Sequence, residues 1–261
     1  VYKRQNRMSE EKQLLTDEAV VLHVKNWQSA DKYVLCFTKE HGKIRFIAYG
    51  ARYMKNVQGR LLQPFARLEV EVQPGQRIDR LRNCSLIKMP EMPDMWQMAY
   101  GSVIGELTAL FTEDKEPQPE LYSVLALSLE ALKLRNPRIV MLSFAIKMLY
   151  LTGFAPQMNH CVSCGKELST EEAYFNFLQG GVVCKECKAK YAGEEVLHCS
   201  IGTRQLWQWL AQLDYLNPTP LKIHGAELME LEKFLLRYIY FQTDKELNSL
   251  NFLAQLQLGK M

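Results

Sequence analysis

Two cysteine pairs constrain this chain more than anything else in it. His160-Cys161-Val162-Ser163-Cys164-Gly165-Lys166 holds the first and Val183-Cys184-Lys185-Glu186-Cys187-Lys188 the second, a C-x2-C-x19-C-x2-C pattern. Two residues between the cysteines of a pair let both sulfurs turn back on one ion, and two such knuckles complete a tetrahedron at about 2.3 Å per metal–sulfur bond. The spacing falls within the range that reads as a zinc site. One Zn2+ held by Cys161, Cys164, Cys184 and Cys187 is therefore expected. Four thiolates leave no position open for water or substrate, which makes the ion structural rather than catalytic. Between the pairs, Ala173-Tyr174-Phe175-Asn176-Phe177 and Gly180-Gly181-Val182-Val183 read as a β-hairpin, giving a zinc-ribbon module.

Seven cysteines is an odd number for a disulfide framework. The polar, charged N-terminus shows no secretion signal, so a reducing, cytoplasmic setting and a metal site are expected. No run of about 18 apolar residues occurs, and no membrane span is expected. His160 and His198 flank cysteines but read as surface or turn histidines, and Cys36, Cys84 and Cys199 as buried small apolar residues. Residues 1–7 are expected to be a non-native leader, with Met8-Ser9-Glu10 as the natural start.

The first third of the chain reads as strands. Val20-Leu22-Val24 alternate with Val21-His23-Lys25, and Lys32 to Thr38 and Ile44 to Gly50 flank the polar turn Glu40-His41-Gly42-Lys43, a hairpin pattern. Ala66, Leu68, Val70 and Val72 alternate with Arg67, Glu69 and Glu71, the period of a half-buried strand. Pro74-Gly75 turns into a fifth segment, Ile78 to Leu86. Five short strands in so few residues suit a small barrel, of which the OB-fold is one form.

Pro90 and Pro93 punctuate the exit, and the apolar spacing then turns helical over Met95–Phe111, about 119–135 and 138–152. Beyond the cysteines, helices are expected near Thr203–Leu213 and Ala226–Phe241, parted by a Pro218/Pro220 break, with a last one over Leu247–Leu258. The expected class is thus α+β and multidomain. An OB-fold barrel spans residues 8–88, helical residues 89–158 and 200–261 make one all-helical domain, and the zinc module 159–199 is inserted in it.

Charge separates these parts. Residues 1–88 carry 17 Lys/Arg against 9 Asp/Glu, while 89–160 carry 5 against 8, 161–199 carry 4 against 6, and 200–261 balance at 6 against 6. A basic first third favours a polyanion as its partner. Between Lys39 and Arg60 stand Lys39, Lys43, Arg45, Arg52, Lys55 and Arg60 with one acid, Glu40. Trp27, Tyr49 and Tyr53 are candidate platforms for stacked bases; for Tyr49 a core position is at least as good an account, whereas Tyr53 stands among charged neighbours.

Several segments together resemble the bacterial recombination mediator family RecO. They are the opening strand ending at Val24-Lys25, the hairpin Leu35 to Lys43, Ala48-Tyr49-Gly50-Ala51-Arg52 and Leu62-Gln63-Pro64-Phe65. Leu151-Thr152-Gly153-Phe154-Ala155-Pro156 before Cys161 and Leu247 to Leu253 near the end complete the set, in order across nearly the whole chain. Where the family commonly has a second basic residue after Arg52, this chain has Tyr53-Met54 before Lys55. The resemblance implies an OB-fold that binds single- and double-stranded DNA, a helical domain, and a zinc module found in many members. It also implies annealing of complementary strands and, with RecR, help for RecA in displacing single-strand-binding protein (SSB). The acidic SSB tail would enter a groove with basic margins, for which Lys133, Arg135 and Arg138 are candidates, although a solvated helix end is the better account of these three residues.

Nothing in the sequence reads as an enzyme: there is no Walker loop, no nucleophile elbow and no metal site with an open position. The expected activity is non-enzymatic DNA binding in the bacterial cytoplasm, at the nucleoid. The competing account is a zinc-stabilised protein-interaction scaffold with an incidentally basic barrel.

Overall fold

The structure, a computed structural model, describes residues 14–92, 94–217 and 223–259. The expected leader 1–7, Pro93 and the Pro218/Pro220 break lie outside the described residues. The chain forms two compact units, one running to Pro90 with Glu113–Pro119 added, the other holding Glu91–Thr112 and everything from Glu120 on.

The first unit is a closed barrel of β1 (Leu15–Trp27), β2 (Asp31–Thr38), β3 (Gly42–Ala48), β4 (Arg67–Gln73) and β5 (Asp79–Lys88), ordered β1-β2-β3-β5-β4. Closure depends on β1 serving two partners. Leu15 to Val20 pair with β4, Ala19 to Trp27 pair with β2, and a register shift between Val21 and His23 bends the strand between them. The parallel pairing of β3 with β5 is two residues long. Alternation does what the sequence predicts: Leu68, Val70 and Val72 of β4 point inward with Ala19, Val21, Val34, Cys36, Ile44, Phe46 and Cys84. These apolar side chains fill the barrel, so it is packed rather than open.

Between β3 and β4 lies α1 (Val57–Leu61), capped by Asn56, whose Oδ1 accepts the Gly59 N–H at 2.8 Å. Lys32 closes its other end, donating to Gly59 O at 2.7 Å and Leu62 O at 3.0 Å.

Glu113–Pro119, which the sequence assigns to the helical domain, packs as a strap on the β2–β3 turn of the barrel. Lys115 N–H donates to Lys43 O at 3.0 Å, and the Asp114 carboxylate ion-pairs with both Lys43 and Arg45. Gly42 makes the close approach possible. Its φ is +66°, and a Cβ there would stand 2.1 Å from Glu116 O.

The second unit begins with α2 (Met95–Phe111), opened by a capping box between Asp94 and Gln97. Then come α3 (Pro119–Leu134) and α4 (Pro137–Leu151). Val140, Met141, Leu142, Phe144, Ala145, Ile146, Met148 and Leu149 are all buried, so α4 is apolar nearly all round and forms the centre of this unit. The cysteine region supplies β6 (Ala173–Asn176), β7 (Gly181–Cys184), α5 (Lys185–Lys188) and β8 (Val196–Cys199), after which come α6 (Ile201–Gln212), α7 (Gly225–Thr243) and α8 (Asn248–Gln257). The expected hairpin is β6–β7, and β8 adds a third strand on the other side of β6.

Aromatic rings bind that small sheet to the helices. Phe175 meets Phe234 of α7 edge-on at 4.4 Å and Tyr238 at 5.5 Å, and Phe177 lies 5.8 Å from Phe234. Arg204 of α6 is buried and donates to the carbonyls of Leu168 and Glu171, fixing the loop that leads from the first cysteine pair to β6. Carboxylates from neighbouring helices cap two helix starts. Glu230 accepts from Ser200 N–H, Ser200 Oγ and Thr203 Oγ1 before α6, and Glu106 accepts from the backbone N–H groups of Asn248 and Ser249 at α8.

Candidate nucleic-acid interface and metal centre

The barrel register fixes which loops share a rim. Trp27 pairs with Asp31 and Lys32 with Ala48, so the β1–β2 turn and the segment after β3 lie at one end. Phe46 pairs with Asp79 and Gln73 with Arg80, which brings the β4–β5 loop to the same end. Thr38 pairs with Gly42 at the opposite end. In five-stranded barrels of this topology the β2–β3 face and the β1–β2 and β4–β5 loops are where oligonucleotides bind.

That register divides the seven sequence candidates. Arg52, Tyr53 and Lys55 stand exposed at the first rim. Arg52 is anchored there, its backbone N–H on Ala30 O at 2.9 Å and its Nη1 on Ser29 O at 3.0 Å. Tyr53 is 66% exposed. Arg60 is exposed on α1. Lys39 is exposed at the opposite end, 3.8 Å from Glu40. Lys43 differs most from expectation: it is only 7% exposed, with its Nζ 3.7 Å from Asp114, and burial lowers its pKa despite that carboxylate. Arg45 shares the same carboxylate.

Two aromatic groups stand at the first rim. Trp27 and Tyr33 lie 6.0 Å apart, with Lys25 Nζ 4.8 Å from the Tyr33 ring and 5.6 Å from Trp27. Tyr49, for which a core position is at least as good an account from sequence, is 54% exposed, and the Arg80 guanidinium sits 5.7 Å from its ring. Tyr49 and Arg80 border a cleft of about 420 Å3 whose other walls come from the β4–β5 loop.

In the second unit the four sulfurs of Cys161, Cys164, Cys184 and Cys187 all lie within 4.8 Å of one another. Cys164 and Cys184 Sγ are 3.9 Å apart. A regular tetrahedron with metal–sulfur bonds of about 2.3 Å has an edge of about 3.8 Å, so the cluster fits a four-thiolate metal centre. The knuckle is built by the backbone: Gly165 N–H donates to Cys161 O and Cys161 N–H to Lys166 O, both at 2.8 Å, and Cys184 N–H reaches Cys161 Sγ at 3.4 Å. Burial alone would raise the Cys161 thiol, but backbone N–H groups of Cys184, Cys164 and Ser163 outweigh it and bring the pKa down to about 6. Neither His160 nor His198 joins the cluster. His198 lies on β8 with its ring 5.7 Å from Tyr174.

The chain matches the family described as Recombination protein O N terminal over residues 8–90, and that described as Recombination protein O C terminal over residues 92–251. It belongs to the RecO family. DNA repair protein RecO of Symbiobacterium thermophilum is 28% identical over 249 residues, covering 93% of this chain and 98% of that one. The protein of the same name from Desulforamulus reducens is 27% identical over 241 residues, covering 92% and 93%, and that from Bifidobacterium longum 32% over 178 residues, covering 66% and 73%. A likeness to a solved Entamoeba histolytica asparaginyl-tRNA synthetase, at a TM-score of 0.27 and 10% identity over 64% of this chain and 38% of that one, carries no argument.

The three proposed margin residues are already engaged within their own unit. Lys133 ion-pairs with Glu91, Arg135 donates to Tyr215 O and Leu216 O, and Arg138 ion-pairs with Glu232. Arg77 and Arg80, by contrast, stand exposed at the rim and were not singled out from the sequence. The signal was there in Pro74-Gly75-Gln76-Arg77-Ile78-Asp79-Arg80, a turn followed by two arginines. Among the described residues no helix is long and apolar enough to cross a membrane.

Proposed function

We propose that this chain is a non-enzymatic DNA-binding recombination mediator of bacterial DNA repair. It binds single- and double-stranded DNA, anneals complementary strands and, with RecR, helps load RecA onto DNA coated by SSB. The observation that carries the reading is the rim of the barrel, where Arg52, Tyr53, Lys55, Arg77 and Arg80 converge with Tyr49 and Trp27 in a chain of the RecO family. Membership supports the partners RecR, RecA and the SSB tail, and the bacterial cytoplasm as the place of action.

Annealing requires no bond to form or break. It requires that two polyanions approach, and the rim supplies cations for their phosphates while aromatic faces hold bases out of the stack. Lys43 and Arg45 serve the strap through Asp114 and not the phosphates, and Lys39 stands apart at the far end. Arg60, exposed on α1, extends the basic surface.

The four cysteines hold one structural Zn2+. The donor set supports this, because soft thiolates in a tetrahedral array favour zinc and all four positions are filled by protein. Bound zinc would tie the knuckle after α4 to the start of α5.

The test is annealing of complementary strands coated with SSB, without nucleotide, with and without RecR. Faster annealing that weakens steeply with salt is expected. A chain that neither binds DNA in a salt-dependent way nor speeds annealing would leave the interaction scaffold as the better account.

A further inference from the structure

We propose that the cleft between the end of β3 and the β4–β5 loop is a slot for one unpaired nucleobase, stacked on Tyr49 and Arg80, that gives the rim a preference for single-stranded over double-stranded DNA. This rests on the DNA-binding reading above and adds what it lacks, the form of DNA that is favoured.

Size comes first. At about 420 Å3 the cleft lies toward the low end of small-ligand sites, which run from roughly 300 to 1,000 Å3. That volume suits a single nucleotide and is far too small to hold a duplex.

The walls come next. Tyr49 follows β3 directly and turns more than half of its surface to solvent. The guanidinium of Arg80 lies over one face of the ring at 5.7 Å, within cation–π distance, so the pair offers a base the outer face of either group as a stacking platform. Both stack on any base, because every base has a π-face. Around the platform stand Gln73 and Gln76. Each amide offers both a donor and an acceptor, although Gln73 Oε1 already receives Arg82 Nε at 2.8 Å and so presents chiefly its NH2. Such a lining accepts an exposed Watson–Crick edge without choosing strongly among bases. Arg77, exposed on the loop, is placed to meet the adjoining phosphate.

The slot is also built in advance. Gly75 N–H donates to Asp79 Oδ1 at 3.0 Å, and a Cβ on Gly75 would stand 1.9 Å from Ile78 O, so the loop closes tightly on itself. Little ordering is left to do on binding. In a duplex the faces of a base are stacked and its edge is paired, and only phosphates reach this part of the rim. A single strand brings both phosphates and a free base.

The experiment compares the full chain with its Tyr49→Ala, Tyr49→Phe and Arg80→Lys variants, titrated at one salt concentration with a single strand and with a duplex of equal length. A single strand carrying 2-aminopurine reports stacking by its quenching. Tyr49→Ala is expected to weaken single-strand binding by between about 5-fold and 160-fold, the range of one lost base stack, with duplex affinity changed less than about twofold. Quenching falls with it, and Tyr49→Phe, which restores a ring, rescues both. Arg80→Lys keeps the charge and loses the plane, so it weakens single-strand binding selectively. Equal weakening on both DNA forms, or no weakening on either, overturns the slot. A wild-type chain that binds neither form overturns the DNA reading itself, and the two failures are told apart by that first titration.

Discussion

Replacing Arg52 and Lys55 together by alanine removes two exposed cations from the rim that faces the β1–β2 and β4–β5 loops. If each neutralises one phosphate, the slope of log affinity against log salt flattens by about 1.4 to 1.8 units, since a contact contributes about 0.7 on a single strand and 0.9 on a duplex. Between 50 and 200 mM salt the variant then loses about tenfold less affinity than the parent chain. Stability changes by no more than about 0.5 kcal/mol, because Arg52 makes one exposed bond, to Ser29 O, and Lys55 is exposed. Lys39→Ala is the matched control: it removes one exposed charge at the opposite end of the barrel and leaves the slope unaltered. The assay is fluorescence anisotropy with a generic oligonucleotide over four or more salt concentrations. An unchanged slope in the double variant, or an equal flattening by Lys39→Ala, would refute the assignment of the contact surface to this rim.

Cys164→Ser or Cys184→Ser abolishes zinc binding, measured as about one ion per parent chain, and leaves the second unit protease-sensitive, since structural zinc sites contribute about 10–16 kcal/mol in small peptides; a soluble, metal-free variant with unchanged melting temperature would contradict this. Phe234→Ala removes the ring on which Phe175 and Phe177 pack and costs about 3–5 kcal/mol in denaturant unfolding, so a loss under 1 kcal/mol would show that the sheet is held otherwise. Burial works against the charge of Glu106 and of Glu230, yet the bonds from Ser249 and Asn248 and from Ser200 and Thr203 prevail and hold both pKa values below the usual 4.5. Their stabilising effect is therefore complete above the unfolded-state value and fades as pH falls through the folded one. Glu106→Gln and Glu230→Gln are expected to narrow the gap to the parent chain in acid, and a gap that widens below pH 4.5 would reverse the sign.

What the sequence revealed depended on how far apart the interacting residues lie. The β2–β3 hairpin and the alternation of β4 are local, and both stand where expected. The C-x2-C pairs needed only their spacing to indicate a shared centre, because four sulfurs that bind one ion impose the long-range contact themselves. The fate of Lys43 was hidden, since the carboxylate that occupies it and Arg45 lies 69 positions beyond Arg45. Strand β8 was missed because Val196-Leu197-His198-Cys199 is too short to show a period, and its partner β6 lies across the second cysteine pair. Helix α6 starts at Ile201, earlier than apolar spacing alone predicts, because Ser200 caps it and Glu230 from α7 holds that cap. The Tyr49–Arg80 pair depends on the brief parallel contact of β3 with β5, which no local pattern announces.

The strap of Glu113–Pro119 makes the barrel discontinuous along the chain. Its five strands are complete at Lys88, but the carboxylate that neutralises the poorly exposed Lys43 belongs to a segment that follows α2. During synthesis the five strands therefore emerge before the Asp114 carboxylate that Lys43 and Arg45 share, and the barrel reaches its final form only after the first helix of the other unit has been made. A single proteolytic cut near Pro90 does not free an intact barrel, because the strap stays covalently with the helices. A fragment that ends at the last strand is thus a different object from the barrel within the whole chain, with the Gly42 turn bare and Arg45 released from its ion pair.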